Sequence, residues 1–120
     1  MLAAFYNRRG DFPKTIAALT ARAALDPNDP EPFYTLATFY WDKAFRDTTL
    51  SEAEKREILA KGMSHIDRAL ELRSDYANAM VYKNLLLRSQ ALIEPDEARK
   101  QELIAEANRL RDEAKRLMRK

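Results

Sequence analysis

At 120 residues, with 46% hydrophobic and 33% charged side chains but only two glycines, the chain has the make-up of one helical globular domain rather than of a disordered or β-rich protein. Its 21 basic and 19 acidic residues leave a net charge of +2 with the two signs interspersed, so no field steers it to nucleic acid or anionic lipid, and neither is expected as a partner. The lack of cysteine removes thiol chemistry and Cys-ligated zinc and leaves the redox compartment, and with it the localisation, open.

No apolar stretch approaches the ~20 residues of a membrane-spanning helix, so membrane insertion is not expected. "MLAAFYNRRG" lacks the basic start and long apolar run of a signal peptide. Leu2 to Arg9 reads as a short helix, turned at Gly10 and Asp11 into a second that runs from Phe12 to Leu25. The strongest punctuation is "LDPNDPEP", where Asp29 can cap a helix that begins at Pro30; proline suits the first helical position because its missing N–H would have no partner there. Phe33, Leu36, Ala37, Tyr40 and Ala44 recur at three- and four-residue spacing and carry this helix to about residue 47.

"RDTTLSEAE" interrupts it. Ser51 followed by Glu54 predicts a capping box at the head of a helix over 52–72, with Ile58, Leu59, Met63, Ile66 and Ala69 among its apolar positions. Ser74 or Asp75 is the expected cap of the next helix, which Tyr76, Ala79, Met80, Leu86 and Leu87 carry to about 93. Glu94, Pro95 and Asp96 then open a last helix over 96–119. The expectation is an all-α chain of six helices in three antiparallel hairpins, roughly 1–27, 28–74 and 75–120, forming a single domain. "ALDPNDPEPFYTLA" joins the first hairpin to the second much as "ELRSDYANAM" joins the second to the third, which is the mark of an internal repeat.

Leu2-Ala3, Tyr6, Gly10, Phe12, Leu19 and Pro27 give the first hairpin a sequence that resembles the tetratricopeptide repeat: large then small residue, aromatic, turn glycine, aromatic, large residue, closing proline. The second hairpin resembles it through Phe33, Leu36-Ala37, Tyr40, Ala44, Gly62, Ile66 and Ala69, with about thirteen residues inserted near 45–57. Met80, Leu87, Ala107 and Ala114 keep the pattern in the third, where Lys83 and Asn84 depart from it. The resemblance implies a right-handed helical solenoid of about three hairpins with a concave groove, a protein or peptide partner, and no cofactor. The family begins its first helix earlier than Met1 does, so a fragment of a longer protein is expected.

The same register places Tyr34, Thr38, Trp41 and Asp42, with Phe45, on the face that lines the groove in that family. Ala4, Asn7 and Arg8 precede them there, and Asn78, Val81, Tyr82, Leu85 and Arg88 follow. Four rings crowd "ATFYWDKAF", and at about 100° per residue Phe39, Tyr40 and Trp41 cannot share one core. Either Tyr34 and Trp41, rigid and amphipathic, clamp a peptide or helix of a partner, or Trp41 and Phe45 pack under the inserted loop or against the elongated helices. Phe39 is expected in a second core. Arg8 and Arg88 suit a ligand carboxylate or phosphate, with solvated surface arginines as the alternative. Ala4, Tyr34, Thr38 and Val81 occupy the positions of the family's C-terminal carboxylate clamp, so that function is not expected.

Lys83 and Asn84, polar on a partly buried face, must find partners and are expected to serve the inserted loop or the helix ends, with ligand contact as the alternative. His65, the only histidine, is expected on a helix surface; with no second ligand or nucleophile motif near it, no metal site and no catalysis are expected. Leu103, Ala107, Leu110, Ala114 and Leu117 form a heptad-like stripe that either docks on the preceding helix or makes a homo-oligomer contact. The sequence therefore points to a non-catalytic interaction module, with an assembly segment, self-associating through its C-terminal helix, as the alternative.

Overall fold

A computed structural model of the chain describes residues 12–119. Five helices account for nearly all of them, and no strand occurs among the described residues: α1 (Phe12–Leu25), α2 (Pro30–Arg46), α3 (Glu52–Leu72), α4 (Ala77–Leu92) and α5 (Glu97–Met118). The all-α expectation is met by five helices among the described residues, against six expected for the whole chain. The expected helix over Leu2–Arg9 and the turn at Gly10 and Asp11 lie outside the described residues.

Three of the helix starts are fixed by the chemistry expected of them. The Asp29 carboxylate accepts the Glu31 N–H at 3.0 Å with Pro30 in the first turn of α2. Ser51 Oγ accepts the Glu54 N–H at 3.1 Å while Glu54 Oε1 accepts the Ser51 N–H at 2.9 Å, the full capping box of α3. Asp96 accepts the Arg99 N–H at 3.3 Å and opens α5. The head of α4 differs from expectation, because neither Ser74 nor Asp75 caps it. Tyr76 holds the cap position with no side-chain bond to the helix, its own N–H bonding Arg73 C=O at 3.2 Å. Its ring is buried in the core, so packing fixes the entry to α4 where a carboxylate was expected to.

Each helix packs on the next, and α2 also packs on α4. The described part is 21 Å across in its shortest dimension, the depth of two helices at ~10 Å each. Small residues set this spacing: Ala37, Ala69, Ala79 and Ala107 are wholly buried, and Gly62 of α3 faces Tyr40 of α2 and Leu86 of α4. Around them Leu59, Ile66 and Leu86 fill the centre where α2, α3 and α4 meet. Leu19, Ala23, Leu36 and Tyr40 join α1 to α2, with Phe39 packed at the edge of that cluster.

The heptad-like stripe of α5 is spent inside the chain, since Leu103, Ala107, Leu110 and Ala114 are buried against Met80, Leu87 and Ala91 of α4. His65 is a correction to the sequence reading. It is half-buried, stacked against Tyr40 at 5.6 Å and Phe33 at 6.4 Å between ring centroids, because its position on α3 turns toward α2 one turn after Gly62. Burial pushes its imidazole below the ordinary histidine value.

Candidate functional site

The helical turn resolves the crowding of rings in α2. Leu36, Tyr40 and Ala44 are buried, whereas Tyr34, Trp41 and Phe45, seven and four residues apart, share a second stripe that faces α4. Tyr34 lies 5.1 Å from the ring of Tyr76 and meets Tyr82 edge-on at 5.6 Å; Tyr82 meets Trp41 edge-on at 5.9 Å; and Trp41 stacks on Phe45 at 5.0 Å. The result is a row of five rings along the α2–α4 seam. Such pairs contribute about 0.5–1.5 kcal/mol each beyond the area they bury. Exposure rises along the row, from Tyr76 at 8% to Phe45 at 68%, with Tyr34, Tyr82 and Trp41 half-buried between them.

Trp41 Nε1–H donates to Ser89 Oγ of α4 at 3.2 Å, and the Ser89 hydroxyl donates in turn to Leu85 C=O at 3.0 Å. The ring partners of Trp41 are Phe45 and Tyr82, not residues of the connection between α2 and α3. Burial pushes the Tyr34 hydroxyl above its ordinary value, with Tyr82 and Glu31 adding to the effect, so Tyr34 stays a neutral donor and acceptor near neutral pH.

An open cleft of about 510 Å³ adjoins this row at Trp41 and Tyr82 and is lined further by Thr38, Phe39, Asp42 and Arg46. Ring edges and the Thr38 hydroxyl, which donates to Thr35 C=O at 2.7 Å, form its walls. Asp42 and Arg46 close one side as an ion pair at 2.6 Å whose side chains are 40% and 76% exposed. A water-screened pair of this kind is worth little to the fold and is free to exchange partners with a ligand. The cleft thus offers stacking surface with one acid and one base at its margin.

The remaining expected groove residues are spread along α4. Val81 is half-buried against the α4–α5 cluster, and Leu85 is half-buried on the stripe that carries Tyr82 and Ser89. Asn78 is not brought to the cleft; it borders a separate hollow of about 380 Å³ with Leu117 and Met118 of α5. Arg88 donates from Nε to Asn84 Oδ1 and from Nη2 to Asn108 Oδ1, both at 2.7 Å. Asn7 and Arg8, with Ala4, lie outside the described residues. Lys83 and Asn84 serve neither the loop nor the helix ends, contrary to expectation: Lys83 reaches across to Asp67 of α3 at 2.7 Å, and Asn84 holds Arg88.

Arg46 and Ser89 belong to this face and were not singled out from the sequence, while Phe39 was expected in a second core and Tyr76 only as an apolar position of its helix. Ser89 was within reach, since Tyr82, Leu85 and Ser89 follow one stripe of α4. No group of three or more His, Asp or Glu side chains is placed to hold a metal ion among the described residues. No helix of the described residues is long and apolar enough to cross a membrane. Comparison with models of protein families, with curated proteins and with solved structures finds no match to this chain.

Proposed function

We propose that the chain is a non-catalytic module that binds a peptide or helix of a protein partner in a groove running over α2 and α4. Trp41 and Tyr82 line the cleft with Thr38, Phe39, Asp42 and Arg46, and Tyr34 and Phe45 extend the ring surface on either side of it. The observation that carries this reading is the row of rings itself, which grades from core into solvent and borders an open cleft at Trp41 and Tyr82. Tyr and Trp dominate binding hot spots because they present large rigid area at small entropic cost while keeping a polar edge. A partly exposed row that ends in a 68% exposed phenylalanine is costly to leave in water and productive to cover.

The arrangement we propose around this groove is a short right-handed solenoid similar to the tetratricopeptide repeat. Its support is the packing of each helix on its successor together with the contact of α2 with α4, the leading helices of two successive hairpins. Self-assembly through the C-terminal helix finds less support, because the apolar stripe of α5 is already covered by α4.

The test is a displayed-peptide selection on the native chain in parallel with Tyr34→Ala/Trp41→Ala and with Phe45→Ser, each checked for native helicity and unfolding temperature. Phe45→Ser is the control against simple loss of fold, since that ring is largely in water. Peptides enriched only on the native chain establish the groove. Equal enrichment on all three, or none on any, rejects it.

A further inference from the structure

Beyond the outer edge of α4 the chemistry of the surface changes from aromatic to aliphatic and cationic. Arg88, Ala91 and Leu92 of α4 and Lys100 and Ile104 of α5 surround a hollow of about 240 Å³. That is smaller than the ~300–1,000 Å³ of sites that enclose a whole small molecule, and it suits the anchoring of a side chain. Ala91 and Ile104 make an apolar base, and Leu92, one turn beyond Arg88, is 81% exposed.

The rim carries two cations, and among the described residues neither forms an ion pair with a carboxylate. The guanidinium of Arg88 is held by the amide oxygens of Asn84 and Asn108, each at 2.7 Å. These neutral amides orient the fork without cancelling its charge and leave its other N–H groups for a ligand. Lys100 has no ion pair, although Arg99, Arg109, Arg111 and Arg116 of the same helix all pair with a neighbouring carboxylate. Lys100 thus leaves a charge without an ion pair beside an apolar hollow, in contrast to Arg99 next to it.

We propose that this hollow is a docking subsite for an acidic segment of the partner protein, in which an Asp or Glu side chain stands beside a large aliphatic one. The proposal rests on the groove reading above and extends it to the α4–α5 edge. An apolar base alone would accept any hydrophobic side chain. Covering Arg88 and Lys100 with an apolar or basic partner would strip water from two charges with nothing returned, so the occupant has to supply carboxylate. The aliphatic side chain covers Leu92 and Ile104, and the carboxylate meets the oriented guanidinium and the ammonium.

The probe is a short alanine-based helical peptide, acetylated and amidated so that it has no terminal carboxylate, carrying Glu and Leu pairs at i, i+4 spacing, together with its Gln–Leu counterpart. Amide-resonance NMR of the whole chain follows each titration. The expected result is a set of shifts centred on Arg88, Leu92, Lys100 and Ile104, with about tenfold weaker binding of the Gln peptide and a similar loss in Lys100→Gln and in Arg88→Gln, the scale of one charge-assisted contact at a partly exposed site. Lys100→Gln leaves every internal bond intact, so a loss there is not a loss of fold. Equal affinity for the two peptides, unchanged affinity in both variants, shifts confined to the Thr38–Tyr82 cleft, or no binding at all overturns the subsite. Peptides selected on the native chain that depend on Trp41 but ignore Arg88→Gln and Lys100→Gln would retain the groove function and remove this inference alone.

Discussion

Trp41 and Ser89, 48 residues apart, are joined by a hydrogen bond of 3.2 Å from the indole N–H to the hydroxyl oxygen, which ties the middle of α2 to the last turn and a half of α4. The bond sits at the edge of the ring row, where Trp41 is half in water. It orients the indole so that one flank stays in the cleft while the opposite edge is fixed.

Ser89→Ala removes this acceptor and the hydroxyl's own bond to Leu85 C=O. A net hydrogen bond contributes about 1 kcal/mol, and water can reach the half-buried indole, so the loss is expected near that value with a fall of several degrees in unfolding temperature. Acrylamide quenching of Trp41 fluorescence is expected to rise in the variant from an intermediate native value. An unchanged unfolding temperature together with unchanged quenching would show that the bond positions nothing.

Gly62→Ala tests the spacing of the three central helices. A Cβ at this position would stand 3.0 Å from Leu86 Cδ2 and 3.1 Å from Tyr40 Cβ, and the second of these atoms cannot swing away because it is fixed to the backbone of α2. Alanine gains about 0.5–1 kcal/mol from helix preference, whereas overpacking a closed core costs about 1–3 kcal/mol. The net expectation is destabilisation of about 1 kcal/mol, and a larger loss for Gly62→Val, measured by denaturant unfolding. A more stable Gly62→Ala would mean that α2 and α4 can move apart freely.

The helix limits were largely legible because capping and periodicity are local: Asp29 with Pro30, and Ser51 with Glu54, mark starts that need no knowledge of the rest of the chain. The head of α4 was not legible, since Tyr76 is placed by its burial among residues of α2 and α3, a tertiary fact. The same holds for His65, whose surroundings are rings of the preceding helix, Phe33 and Tyr40. In the candidate site, Tyr34, Trp41 and Tyr82 were foreseen from one helical stripe on each of two helices. Their mutual contacts and the Arg88–Asn108 bond depend on which helices lie side by side, and no spacing within a single helix encodes that.

Leu110 and Leu92 separate buried from available apolar surface on the last two helices. Leu110 is 3% exposed against α4, so Leu110→Ala is expected to cost about 2–4 kcal/mol by lost contact and cavity formation. Leu92 is 81% exposed, and Leu92→Ser is expected to change stability by less than about 0.5 kcal/mol. Thermal unfolding of the two variants at equal concentration checks the contrast. A costly Leu92→Ser would mean that another surface covers this residue in solution.

His65 gives the chain a defined pH response. Its folded value is lowered because Phe33 and Tyr40 exclude water from the imidazole, so the folded state binds the proton less well than the unfolded chain, whose value is about 6.5. The stability this contributes is complete above about pH 6.5 and is lost as the pH falls through 6.5 toward the folded value. The carboxylates with lowered values, Asp47 through its bonds to Lys43 and Thr49, Glu54 through the capping box and Glu106 through Arg109, titrate below the ordinary carboxylate value and leave this interval to the histidine. Denaturant midpoints measured between about pH 7.5 and 5.5, either side of the ordinary histidine value, are therefore expected to fall for the native chain. His65→Phe, which keeps the ring stack and cannot take up a proton, is expected to stay level over the same interval. A native midpoint as flat as that of His65→Phe would place the imidazole in water, and the stacking between Phe33 and Tyr40 would then not hold in solution.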